Sequence, residues 1–359
     1  PFVNFPYISI DLEGLRIYES KDESVKPALE IQDTYLGFDI WTIISGNYDL
    51  KALHLSNGYV KVVEHKDGSF NIANALKSIK EVAQEEEALP FQLHLQSFTL
   101  QNVDIHKINE ATEIDIDAFV NDAIATFKVE DSHTRIALNA RYEMNFMQGG
   151  DTTLIKHKRF DLDTKIDFNS DNLLLKVAPS IIKLESGHFK LEGSLDLKNG
   201  QYLDLEIQGA KPNFDLIIAF APDELVPTLK NYDNKGEVFF GATIKGKLAD
   251  GSIPIIDAKF GCKEGSIKNN STGEKLNDME FRGYFRNTSG NHNFTSMEFG
   301  IEDFRAKPKT GEFYANLKIQ NFVSPEIDLK LKSQFDLNFL EDFFNMEGLS
   351  DMTGSVNLT

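Results

Sequence analysis

The sequence has little sulfur, a deficit of basic charge and no long apolar run. Of its 359 residues one is cysteine, Cys262, so no internal disulfide can form and the fold is not a small stapled scaffold. A lone thiol suits an oxidising or a reducing compartment equally. Cys262 lies between Gly261 and Lys263, and no His or Asp adjoins it. That reads as a buried or edge-strand thiol and not as a nucleophile. The longest apolar stretch, Leu216 to Pro222, falls far short of the roughly 20 residues of a membrane-spanning helix. No signal-peptide pattern is present and the chain opens at Pro1, so it reads as a piece of a longer protein, truncated at both ends. Lys and Arg number 37 against 56 Asp and Glu, a net charge of −19. Such a chain is repelled by nucleic acid and by anionic headgroups, which excludes a nucleic-acid partner and a basic membrane-docking surface.

Catalytic motifs are missing too. There is no His-Glu-x-x-His, no complete phosphate loop ending in Gly-Lys-Ser/Thr, and no Gly-x-Ser-x-Gly elbow. Glycan-binding platforms are poorly supplied, because Trp41 is the single tryptophan. The expectation is a protein that is not an enzyme and uses no cofactor.

What the sequence does contain is alternation. Phe189, Leu191, Leu195 and Leu197 share one face of an extended segment, with Lys190, Glu192, Ser194 and Asp196 on the other. Leu203, Leu205 and Ile207 repeat the pattern, as do Ile327, Leu329 and Leu331, Phe91, Leu93 and Leu95, and Ile8, Ile10 and Leu12. Successive side chains of a strand point to opposite faces, so these are strands with a dry face and a wet face. A helix would need apolar spacings of three and four. Asn57-Gly58, Asp67-Gly68, Asn199-Gly200 and Asp250-Gly251 supply residues that accept the positive φ of hairpin turns. Short strands in series with tight turns predict an antiparallel meander. Helical spacing is confined to about 74–88, 214–220 and 337–346. The fold class is therefore mainly β with a few short α-helices, in a large curved antiparallel sheet that forms an elongated groove or a partly open sandwich.

Two segments resemble each other. Leu205-Glu-Ile207, Phe214-Asp215-Leu216 and Gly236-Glu-Val238 are echoed by Leu329-Lys-Leu331, Phe335-Asp336-Leu337 and Gly354-Ser-Val356. Each has a short apolar helix between its parts. The organisation divides into an N-terminal β region with one helix, 1–110, and a curved antiparallel region, 111–359.

Eight histidines are scattered along the chain. Were Phe91–Leu100 and Val103–His106 to form a hairpin, His94, His106 and Asp104 would meet as a metal site. Histidines on the solvated faces of strands explain the same residues more simply, and no metal is expected. The alternating acids Asp115 and Asp117, and Asp161 and Asp163, read as wet faces in the same way.

Several segments carry a family resemblance. Phe5-Pro6-Tyr7-Ile8-Ser9-Ile10 with Gly14-Leu15-Arg16-Ile17 looks like the opening of the AsmA-like proteins of the bacterial cell envelope. Leu53 to Val60, followed by Asp67-Gly68-Ser69-Phe70-Asn71-Ile72, is similar to that family's strand–turn–strand leading into a helix. Phe98 to Ile105 resembles its next strand pair, and Gly246 to Ile267 a pattern shared with TamB-like relatives. The resemblance implies a β-groove with an apolar inner face, a periplasmic body and an inner-membrane anchor absent from this chain. It further implies passage of phospholipid, or another amphipathic lipid, between inner and outer membranes, with outer-membrane partners. The lining residues would be Phe189, Leu191, Leu195, Leu197, Leu203, Leu205, Ile207, Phe240 and Ile244. The alternation alone fits equally a closed β-sandwich, and the protein would then be a structural or assembly factor in outer-membrane biogenesis.

Overall fold

A computed structural model describes residues 7–19, 26–45, 48–75, 91–148, 152–221, 225–248, 253–288, 294–344 and 354–358. The chain is mainly β, with a large open antiparallel sheet and a few short helices, as the alternation predicts. It divides into two compact units. The first comprises Pro1–Ile182 with Leu195–Gln201 and Ala249–Gly251; the second comprises Lys183–Ser194, Tyr202–Leu248 and Ser252–Thr359. The divide expected near residue 110 falls instead within a hairpin, because β4 (Phe91–Asn109) and β5 (Ile114–Glu130) pair from Ser97↔Thr126 to Asn109↔Ile114.

In the first unit β1 (Tyr7–Ile17) and β2 (Leu29–Asp39) pair antiparallel, and β2 pairs with β3 (Tyr48–Glu64). β3 and β4 are parallel, a departure from the predicted meander. The reason lies in their connection. Residues 65–90 are far longer than a hairpin loop, and they include the Asp67-Gly68 turn and a helix described over 71–75. Parallel pairing needs such a crossover of a dozen residues or more. The rest of the helix expected at 74–88 lies outside the described residues. β5, β6 (His133–Gln148) and β7 (Thr152–Asn169) continue antiparallel, and β8 (Leu174–Leu184) follows.

One expected turn, Asn57-Gly58, is not a turn, and the hairpin considered between Leu100 and Val103 is not formed either. Asn57-Gly58 lies inside β3 with Asn57 at φ 57°, and Asn102 lies inside β4 at φ 52°. The Asn102 side chain donates to Asn57 Oδ1 at 3.3 Å, so the two irregularities stand side by side on neighbouring strands. Asparagine tolerates this backbone region, and the chain kinks without reversing. Asp67-Gly68 does turn: Gly68 N–H donates to His65 O at 2.9 Å and Ser69 N–H donates to Asp67 Oδ1 at 2.9 Å. Asn199-Gly200 connects β9 (Gly187–Asp196) to β10 (Tyr202–Lys211) as expected, and Asp250-Gly251 lies outside the described residues.

The core of the first unit is aliphatic. Ile31 and Val103 are fully buried with Leu55, and Leu53, Val60, Phe98, Leu100 and Ile105 pack around them. The row continues through Val120, Tyr142 and Phe160, whose rings stack at 5.1 Å between centroids.

The second unit runs as an antiparallel series from β10 through β11 (Tyr232–Lys247), β12 (Ile255–Asn269), β13 (Lys275–Arg286), β14 (Glu298–Lys307), β15 (Gly311–Gln320) and β16 (Glu326–Asp336) to β17 (Ser355–Leu358). The two similar sequence segments become similar structures. β10 is followed by helices Asp215–Ile218 and Val226–Leu229 and then by its neighbour β11. β16 is followed by helix Leu337–Phe344 and then by its neighbour β17. At the return, Gly236 N–H donates to Pro212 O at 3.0 Å in one copy, and Leu337 N–H donates to Gly354 O at 2.9 Å in the other.

Candidate functional site

The pairing register of the second unit turns separate alternations into continuous rows. Gly209, Phe240, Phe260, Gly283, Ile301, Leu317 and Leu329 stand directly opposite one another across seven strands. Beside them runs a second row of Ile207, Ala242, Ala258, Phe285, Phe299, Ile319 and Ile327. Leu205, Ile244 and Ile256 begin a third. All lie on one face, because each row is separated from the next by two residues along every strand. The other face carries polar groups: Arg286 Nη2 pairs with Glu298 Oε2 at 2.8 Å, and Lys245 pairs with Asp204 at 3.0 Å. Burial pushes the Glu298 carboxyl up, but hydrogen bonds from Arg286 and Gln320 outweigh it and hold the group below its ordinary value.

The dry face is covered unevenly: helices seal one margin, and the strongest exposure is on β16. Leu216 and Ala219 of the first helical segment are fully buried, and Phe214 is buried with its ring centroid 6.4 Å from that of Phe281. Phe220 stacks on Phe240 at 5.4 Å and meets Phe189 edge-on at 5.8 Å. Further along, Phe339 and Phe343 of helix Leu337–Phe344 are buried, with Phe339 5.8 Å from Phe313. Tyr232 Oη and Asn269 Nδ2 donate to Phe343 O at 2.8 and 2.9 Å and anchor that helix end.

At the opposite margin a short 3-10 turn, Phe294–Ser296, lies between β13 and β14, and the Phe322 ring meets Phe285 edge-on at 5.8 Å. There Leu203, Leu205, Ile207, Ile244, Ile256, Phe285, Phe299, Leu317 and Ile319 remain half-buried. Exposure is greatest on β16, where Ile327 is 66% and Leu329 59% accessible. These are large apolar side chains in register with a buried row, not isolated surface residues, and such patches mark binding surfaces more often than scattered ones do.

Aromatic rings lie across glycines on the next strand. Phe260 stands opposite Gly283, and a Cβ at Gly283 would come within 2.3 Å of the ring. On the other face Phe239 stands opposite Gly261, where a Cβ would come within 2.6 Å of the ring. Neither glycine can be replaced without moving a ring.

The expected lining residues divide. Leu203, Leu205, Ile207, Phe240 and Ile244 share the dry face in register, and half-buried Leu191 belongs to the same unit. Phe189 is 2% accessible and fills the space between Phe220 and Phe240, so it supports the face and has no surface to offer a ligand. Leu195 and Leu197 group with the first unit. Ile256, Phe285, Phe299 and Leu317 belong to the face although their strands were not singled out. Ile327, Leu329 and Leu331 showed in the alternation, but only the register joins them to the rest.

Neither Cys262 nor the Gly241–Lys247 spacing forms a reactive site. Cys262 is buried, and burial pushes its thiol up to about 11, which leaves it unreactive. Gly241-Ala-Thr-Ile-Lys-Gly246-Lys247 has the phosphate-loop spacing but lies along β11 and ends on Leu248, so it forms no loop at a helix start. The supposed hairpin between His94 and His106 is a single strand, β4. Twelve residues of strand separate them by about 40 Å, so they cannot share an ion. His94 pairs with Asp49 at 3.0 Å, and His106 faces Asp115 and Asp117.

No helix among the described residues is long and apolar enough to cross a membrane. No family model, curated protein or solved structure matches the chain.

Proposed function

We propose that the dry face of the second unit binds the acyl chains of a phospholipid or similar amphipathic lipid, and that the protein acts without catalysis as a lipid-binding and transfer module. The observation that carries this reading is the continuous row from Phe240 to Leu329, buried at Phe260 and Gly283 and exposed on β16. Each CH₂ left in water costs about 0.8 kcal/mol, so two acyl chains cost on the order of 20 kcal/mol to carry unshielded. A sheet dry on one face and wet on the other removes that cost and leaves the headgroup in solvent. The resemblance to AsmA-like proteins gives the setting: a periplasmic body, held to the inner membrane by an anchor, that moves lipid toward the outer membrane.

The sealed margin beneath Phe339 and Phe343 supports a second reading, a structural or assembly factor in outer-membrane biogenesis whose dry face serves only as core. Lipid extraction and mass spectrometry of gently purified full-length protein separate the two. The lipid reading expects co-purifying phospholipid, reduced in Ile327→Asp/Leu329→Asp. Protein that carries none, although folded by circular dichroism, overturns it.

A further inference from the structure

One cluster on the polar face of the first unit converges as no other among the described residues does. β4 and β5 place His106 directly across from Asp117, with Asp115 at the next same-face position of β5. His106 Nε2 lies 2.5 Å from Asp115 Oδ1 and 3.5 Å from Asp117 Oδ1. One donor atom from each residue lies within 4.8 Å of the other two. Ligands about 2.0–2.2 Å from a common ion stand about 3–4 Å from each other, so these spacings need little adjustment to hold one.

The neighbouring histidines set the contrast. His94, His133 and His157 each meet a single carboxylate. His65 meets two, Glu19 and Glu110, but through opposite ring nitrogens. Among the described residues only His106 turns one nitrogen toward two carboxylates. A single N–H serves one oxygen well and leaves the second carboxylate beside the first. Neither aspartate pairs with Lys or Arg among the described residues. Lys61 stands across from His106 on β3 and forms no ion pair with either. A divalent cation would take the nitrogen lone pair and balance both negative charges at once. The donor set selects among cations. One imidazole with two carboxylates suits zinc and its first-row neighbours, whereas calcium takes six to eight oxygens.

We propose that His106, Asp115 and Asp117 form a three-ligand site for a divalent first-row transition-metal ion, with the remaining position left to water. The two strands that carry the ligands are paired along their length, so the site is held by backbone and not by a loop. It is independent of the lipid reading, which concerns the other unit.

Isothermal titration of the purified, chelator-treated chain with Zn²⁺ tests the proposal. The expected result is saturable binding of one ion per chain. The near-isosteric Asp117→Asn variant should bind at least about tenfold more weakly, as should His106→Gln. His133→Gln, which removes an ordinary His–Asp pair, should leave affinity unchanged. Absence of saturable binding overturns the proposal. So does equal affinity in Asp117→Asn with its circular dichroism intact, or a loss in His133→Gln as large as that in His106→Gln.

Discussion

In the first unit five histidines stand beside carboxylates, and the buried centre is Ile31, Leu55 and Val103. In the second unit phenylalanines take over, and of the 28 in the chain 17 fall between Phe189 and Phe344. Their rings form a connected series in which Phe214, Phe281, Phe260 and Phe299 follow at centroid distances of 6.4, 6.5 and 5.8 Å. The same two-residue alternation thus supports two ways of holding a sheet. Polar stitching across the wet face adds little energy at exposed positions and responds to pH. Rings on the dry face bury far more area each and respond to volume.

The comparison can be broken most directly at Phe281, which is buried against Phe214, Phe260 and Phe304. Phe281→Ala should cost about 3–5 kcal/mol in urea unfolding. A loss below about 1 kcal/mol would show that the rings are not what holds the second unit. Gly283→Val tests the same region by overpacking and should cost about 1–3 kcal/mol, because Phe260 occupies the space a side chain needs. A neutral result would mean that the ring moves aside without penalty.

The polar side of the comparison is sharpened at His65. The Glu19 hydrogen bond raises its pKa above the ordinary histidine value against the opposing effect of partial burial, and Glu110 adds to the rise. The folded state therefore binds the proton more tightly than the unfolded chain. The stabilisation is fully present below the ordinary value of about 6.5 and is lost as pH rises through the folded value. His65→Gln should lower the melting temperature more at about pH 5.5 than at about pH 9. An equal shift at both would assign His65 a packing role. The smallest expected signal is at Cys262: the folded protein should leave a thiol reagent unconsumed and react only when unfolded. Rapid reaction of the folded protein would show that the thiol is accessible.

Much of the fold was legible because alternation is local. Leu203, Leu205 and Ile207 declare their face within five residues, and the helices at 215–218 and 337–344 were marked by apolar clusters beside Asp-Leu steps. What was not legible depends on distant partners. Asn57 and Asn102 carry the chemistry of a turn, and only their neighbouring strands show that each is a kink within a longer strand. The parallel pairing of β3 and β4 is invisible in either strand alone. At the candidate face the lining was half legible. Leu205 and Ile207 were identified from their own strand, whereas Leu329 joins them only through six successive registers. Phe189 looked the same as its neighbours in sequence and was sealed by Phe220, a residue 31 positions away.

The rings that lie over Gly283 and Gly261 also act as teeth. Each strand dictates where the next must present a gap, so a slip of one residue sets a ring against a side chain and turns the apolar set to the wrong face. Strands of this kind accept their own successor and refuse most others. An open sheet is exposed to uncontrolled growth along its edges, and here the pairs Phe260–Gly283 and Phe239–Gly261 restrict the register that a neighbouring strand can take.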